Sequence, residues 1–124
     1  MNKVILGNNI LMPPQSEDAL QAEIVKWFNT TYPEYRGLFF HVPNAPKNKR
    51  DGARLVAMGL TAGIPDLLLL ANGTVYGFEL KTQTGFLSKI QITIKNIWQR
   101  ANYQIFVIRD LESFKKKCKE VLGM

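Results

Sequence analysis

The segment "DLLLLANGTVYGFELK", residues 66 to 81, leaves the chain few alternatives. Asn72-Gly73 is the strongest short signal for a two-residue hairpin, because a type I′ turn needs positive φ at both central positions and these two residues accept it. Apolar runs flank the dipeptide, so strands are expected over 66–71 and 74–81. A two-residue loop sets the register: Ala71 pairs with Thr74, Leu70 with Val75, Leu69 with Tyr76, Leu68 with Gly77 and Leu67 with Phe78. One step further, Asp66 falls opposite Glu79. Directly opposed residues hold their Cβ atoms about 4.5–5.5 Å apart, where like charges destabilise. Lys81 shares the Glu79 face, because strand side chains alternate with period two.

Two readings of this acid pair stand side by side. In one, Asp66 and Glu79 are surface acids at a strand end, with Lys81 as counter-ion. In the other, they hold a hard divalent cation such as Mg²⁺, which takes oxygen ligands and is typically bound by one or two carboxylates plus substrate phosphate. Glu79 lies between Phe78 and Leu80, against a strand of four leucines. An acid there is costly unless it is paired or binds a cation.

Composition narrows the chemistry. Sixteen Lys and Arg against ten Asp and Glu give a net charge of +6, which favours a polyanionic partner, nucleic acid before an anionic membrane surface. One cysteine, Cys118, excludes a disulfide framework and a cysteine-based zinc site within one chain; a passive place on a basic helix is expected for it. One histidine, His41, excludes paired-histidine metal motifs, and no G-x-S-x-G supports a hydrolase triad. Nucleotide-phosphate loops of either common pattern are absent. With no secretory signal and no apolar run near ~20 residues, the expectation is a cytoplasmic protein with no membrane partner.

The 124 residues suit one domain of α/β class, a layer fold around one sheet. Residues 1–15 are expected to form an arm or edge strand ending at Pro13-Pro14, and 16–124 the domain. Ser16 is a candidate N-cap for a helix over 17–29 carrying Leu20, Ile24, Trp27 and Phe28 at helical spacing. A strand over 37–43 precedes the loop "NAPKNKRDG", and 53–60 is a candidate short helix. The segment 88–102 places Ile90, Ile94, Ile97, Trp98 and Ala101 on one helical stripe. A buried-type strand over 103–109 and a basic amphipathic helix over 111–122 close the chain.

Two further polar residues each have two readings. On a helical wheel Glu17 falls on the side of Leu20, Ile24 and Phe28, so it either adds a carboxylate to the acid pair or complements the helix dipole; Glu23 falls toward solvent. Ser88-x-x-Gln91 fits a capping box, while the Gln91 amide at a helix N-terminus also suits a water or phosphate.

Pro65-Asp66 with Glu79-Leu80-Lys81 resembles the signature of the PD-(D/E)xK superfamily, and the wider pattern resembles its VRR-NUC branch of nucleases. The likeness runs over about 100 residues, through "EDALQAEIVKWF" (17–28), "FFHVPN" (39–44), "GARLVAMGLTAGIPDLLL" (52–69), "FELKTQTGFLSKIQ" (78–91) and "FVIRDLESF" (106–114) in order. It implies a restriction-endonuclease-like core, a mixed central sheet flanked by helices, and a Mg²⁺- or Mn²⁺-dependent phosphodiesterase acting on DNA. Under it Asp66 and Glu79 are metal ligands, with the Leu80 carbonyl and Glu17 as further ligands. Lys81 orients the attacking water or stabilises charge on the phosphate, and Gln91 falls on the family's glutamine position. Phosphate contacts are expected from Lys47, Lys49, Arg50 and Arg54, with Asn44 as a polar contact; such contacts carry no base information. A solvated loop is the competing reading for that basic run, and "KKKCK" (115–119) reads as a solvated helix face. His41 reads as structural before catalytic.

Stand-alone phage and bacterial members of this type are similar in length, and some resemble Holliday-junction resolvases in working as homodimers. That implies a homodimer preferring branched DNA, four-way junctions or flaps, over linear duplex. The alternative from another class is a non-catalytic basic DNA-binding or assembly subunit that keeps the fold. A restriction-type enzyme is a third reading, for which 124 residues leave little room.

Overall fold

The computed structural model describes residues 4–6, 10–12, 15–43 and 48–123, the side chains of the first two segments excepted. Strands β1 (Val4–Leu6) and β2 (Ile10–Met12) pair antiparallel, Val4 opposite Met12, as a two-stranded sheet of their own. The Ser16 hydroxyl accepts from the Ala19 N–H at 3.1 Å and starts α1 (Glu17–Thr31), two residues longer than the spacing predicts. Its apolar stripe behaves as expected: Leu20, Ile24 and Phe28 are fully buried. A short 3₁₀ turn, Pro33–Tyr35, leads into β3 (Phe39–His41). This strand is shorter than the expected 37–43, but Leu70 N–H donates to Leu38 O and Val42 N–H to Asp66 O, continuing the pairing at both ends. Pro43 then ends it, having no N–H to give.

The basic loop is shorter than expected. Asn48 accepts from the Asp51 N–H at 2.8 Å and caps α2 (Lys49–Ala57), so Lys49 and Arg50 sit on a helix rather than in a loop. The helix stops before Gly59, whose φ of +107° no L side chain adopts readily. No residue of α2 is buried, and Val56 within it and Met58 at its C-cap stand exposed.

β4 (Leu67–Ala71) and β5 (Thr74–Leu80) form the hairpin in the register that the Asn72-Gly73 dipeptide predicts, all five pairs included. Both turn residues have positive φ, 56° and 71°. The Asn72 amide also donates to Val121 O at 2.7 Å, tying the turn to the last helix. Next come α3 (Lys89–Arg100), β6 (Gln104–Ile108) and α4 (Leu111–Leu122). The main sheet runs β3-β4-β5-β6, antiparallel except for β5 and β6. That parallel pair requires a crossover, which α3 supplies.

One sheet face carries the core. Phe39, Leu67, Leu69, Phe78, Leu80 and Ile108 pack with α1 and α4, whose Phe28 and Phe114 join Phe39 and Phe78 in an aromatic cluster; Phe28 and Phe39 centroids lie 4.2 Å apart. Cys118 is buried in this core, and burial pushes its thiol up to about 12. Two of the α4 lysines are engaged rather than merely solvated: Lys117 lies over Phe106 at 4.6 Å and Lys115 over Trp27 at 5.6 Å. The opposite face meets α3 only in part. Of the expected stripe, Ile94 is buried, whereas Ile90 and Ile97 remain nearly half exposed, because α3 packs chiefly against the edge strand β6. Leu68, Val75, Ile97, Trp98, Ala101 and Tyr103 thereby line an open apolar groove. No helix among the described residues is long and apolar enough to cross a membrane.

Candidate active site

Close backbone packing sets the position of Asp66. Gly63, with φ of +83°, passes so near α3 that a Cβ there would lie 2.9 Å from Ile90 O. Pro65 is fully buried against Gly77, where a Cβ would lie 2.5 Å from its Cγ. Asp66 follows immediately, one step before the ladder begins at Leu67. Its carbonyl accepts from Val42 N–H at 3.0 Å and from the His41 ring at 2.9 Å. A carbonyl only accepts, so Nδ1 of His41 carries the proton. Its carboxylate Oδ2 accepts from the Leu80 N–H at 2.7 Å. Leu80, expected to offer a carbonyl, thus first contributes an N–H that orients Asp66.

Glu79 is buried, 3% exposed, between two core residues. Its carboxyl hydrogen-bonds with that of Asp66 across the strands. Gln91 Nε2 donates to Glu79 Oε1 at 2.9 Å. The Glu79 pKa rises to about 8, chiefly from burial, then from the charge and hydrogen bond of Asp66 and, more weakly, from Glu17; Lys81 pulls the other way. Burial and the neighbouring Asp66 thus favour the protonated form of Glu79. Glu17 stands exposed at the first turn of α1, close enough for Glu79 to feel its charge, while Glu23 lies in solvent as expected. Among the described residues no three His, Cys, Asp or Glu side chains are gathered closely enough to hold a metal ion. The tertiary structure brings together Asp66 and Glu79, with Lys81 and Gln91 beside them and Glu17 further out.

Gln91 closes the expected capping box, and its amide nitrogen meets Glu79, a partner that neither reading named. Its Oε1 accepts from Ser88 N–H at 2.8 Å, closing the capping box, while its Nε2 reaches Glu79. The cap fixes the amide and so aims the donor.

The donor set suits a hard divalent cation. Two carboxyls meet at a buried position where their mutual repulsion and desolvation are left to a proton, and a cation relieves both costs. The amide and N–H contacts from Gln91 and Leu80 hold each carboxyl in place, as metal ligands require.

The basic residues spread over a neighbouring element. Lys49 and Arg50 are exposed on α2, and Arg54 forms a 3.0 Å ion pair with Asp51. Asn44 and Lys47 lie outside the described residues. The sequence reading gives Arg109 no role and His41 only a structural one. Arg109 Nη1 donates to Thr82 O at 2.7 Å and Gly85 O at 2.6 Å, clasping the turn that follows Lys81. His41 anchors Asp66 from an edge strand. The sequence carries a weak signal for both, a lone polar residue at the end of an apolar strand, which does not say what it meets.

No protein-family model matches this chain, and neither does any curated protein. A solved structure described as a VRR_NUC domain protein superposes with a TM-score of 0.74 at 18% identity, over 88% of this chain and 89% of the other. The chain therefore has the fold of a VRR_NUC domain protein.

Proposed function

We propose that this chain with the VRR-NUC fold is a Mg²⁺- or Mn²⁺-dependent endodeoxyribonuclease that prefers branched DNA, junctions or flaps, and works as a homodimer. The observation that carries the reading is the Asp66–Glu79 carboxyl pair on adjacent strands, Glu79 buried and Asp66 half-buried, with Lys81 beside it. Asp66 and Glu79 would hold the ion, with the Leu80 carbonyl as a further oxygen donor and Glu17 acting through a bridging water. When bound, a divalent ion neutralises charge on the phosphate and makes a water nucleophilic near neutral pH. Lys81 places a fixed positive charge where charge develops on the phosphate oxygens. Gln91 and the Leu80 N–H keep the two carboxyls from rotating away. Lys49, Arg50 and Arg54, with Lys47 and Asn44, contact backbone phosphates, positioning DNA without reading its bases.

Two features support the dimer. Among the described residues β1 and β2 pair only with each other, and a lone two-stranded ribbon is marginal in water without a surface to pack on. Symmetric incision of a four-way junction also needs two sites in a fixed relation, which a C₂ dimer supplies.

Cleavage of labelled junction, flap and linear DNA with Mg²⁺ and with EDTA tests the reading. Activity is expected only with metal, and Asp66→Asn and Glu79→Gln should each lower it by at least 100-fold, on the order of one lost electrostatic contact at the reacting centre. Lys81→Ala should cost more turnover than Gln91→Ala. DNA binding by the wild type with no cleavage under any metal would identify a binding subunit instead.

A further inference from the structure

Phe86 is 86% exposed, more than any other large apolar side chain among the described residues. An aromatic ring left in water is ordinary at a loop tip, but the backbone beneath this one is held unusually firmly. On one side, Arg109 donates to both Thr82 O and Gly85 O, and the Gly85 N–H closes onto Thr82 O at 3.3 Å. A Cβ at Gly85 would lie 2.8 Å from Thr82 Oγ1 and 3.8 Å from Lys81 Cδ, so this turn folds over the stem of Lys81. On the other side, Ser88 is locked by the capping box to Gln91, which also grips Glu79. Phe86 thus stands between two anchors that both belong to the acid site.

The neighbourhood says what the ring suits. Exposed Gln83, Thr84, Ser88 and Lys89 flank it along the loop, and Lys81 lies beneath. Such a setting is polar and cationic, unlike the broad apolar surface that docks another protein. A single flat ring among cations matches the pattern that holds single-stranded nucleic acid, a stacking platform beside phosphate-binding charge. A Cβ added at Gly85 would just reach the Lys81 stem, and the Phe86 Cα is one step of about 3.8 Å from that of Gly85. Successive nucleotides of a duplex strand are about 3.4 Å apart along the axis. Ring and ammonium are thus carried by the same short turn, so one strand can offer a base to the first and a phosphate to the second.

We propose that Phe86 stacks on an unpaired nucleobase next to the cleaved phosphate, and that this contact creates the preference for branched over linear DNA. In a linear duplex every base is already stacked and paired, so the ring gains a partner only by disrupting a step. At a flap or junction the base is available. The proposal rests on the nuclease reading only for where the base lies relative to the cut.

The test uses the full chain with Ca²⁺ in place of Mg²⁺, a flap carrying 5-iodouracil at its first unpaired position, and a linear duplex of matching sequence. Irradiation of the wild-type complex should cross-link the iodouracil to Phe86, read by peptide mass spectrometry. Phe86→Ala should abolish the cross-link and lower the ratio of flap to duplex affinity by about 5- to 20-fold, with an unchanged melting temperature. Phe86→Trp should keep the ratio. A cross-link to another residue, no DNA binding, or an equal ratio in wild type and Phe86→Ala overturns the proposal. Cleavage by a wild type whose ratio ignores Phe86→Ala keeps the nuclease reading and removes this one; a Phe86 cross-link in a protein that cuts nothing does the reverse.

Discussion

Glu79 is buried with a pKa near 8 instead of the ordinary 4.5, and its sign makes a measurable demand. The folded protein holds this proton more tightly than the unfolded chain does. Its contribution to stability is therefore complete below about pH 4.5 and is lost as pH rises through about 8. Across that window each pH unit removes at most about 1.4 kcal/mol. In EDTA, the melting temperature of the wild type should fall from pH 5 to pH 9, and Glu79→Gln, with no proton to lose, should flatten that slope. Mg²⁺ should restore the wild type at pH 8 to 9 and leave Glu79→Gln unmoved. Parallel slopes for the two proteins would show that another group sets the pH dependence.

At the scale of elements, the hairpin works because a neighbouring segment can press against it. Pro65 lies on Gly77, and Gly77→Ala would put a methyl 2.5 Å from a proline ring that cannot rotate away. The backbone of one strand must then move, at a cost of about 1–3 kcal/mol for overpacking. Because Asp66 follows Pro65, the same shift separates it from the Leu80 N–H and from Glu79. Chemical denaturation should report the lost stability, and cleavage by the folded fraction should fall further than the unfolded fraction explains. An unchanged turnover in folded Gly77→Ala would mean that the Pro65 contact does not position the acid. Arg109 does comparable work for the turn after Lys81, joining the end of β6 to the loop that carries Phe86.

For the whole molecule, the large question is how one chain with an open, basic surface engages a polymer. The net charge of +6 favours a polyanion, and on the proposed function a junction would offer two strands related by symmetry. If the β1–β2 ribbon packs across a two-fold axis, deletion of residues 1–12 should convert a dimer to a monomer in light scattering. Single-strand nicking by the shortened chain should survive, while paired incision of a junction is lost. A full-length monomer, or a dimer that ignores the deletion, would remove the arm from the assembly.

Local rules were enough for the hairpin, its five-pair register, the α1 stripe, the Ser16 and Ser88 caps and the last helix, because each depends on neighbours in sequence: a turn dipeptide, a capping hydroxyl, a 3.6-residue period. The same rules brought Asp66 and Glu79 to one place, since two-residue turn geometry counts outward without reference to anything else. They misplaced the start of α2, where Asn48 reads as part of a turn until its side chain meets the Asp51 N–H. They also overstated the apolar stripe of α3, because how far a helix leans across a sheet depends on packing with every layer. Arg109 and His41 lie at strand ends whose surroundings come from segments 24 or more residues away. That Gln91 caps its own helix and also holds Glu79 was decided only by the tertiary structure. A capping box fixes the amide's oxygen locally, whereas what its nitrogen reaches depends on where the sheet has carried the opposite strand.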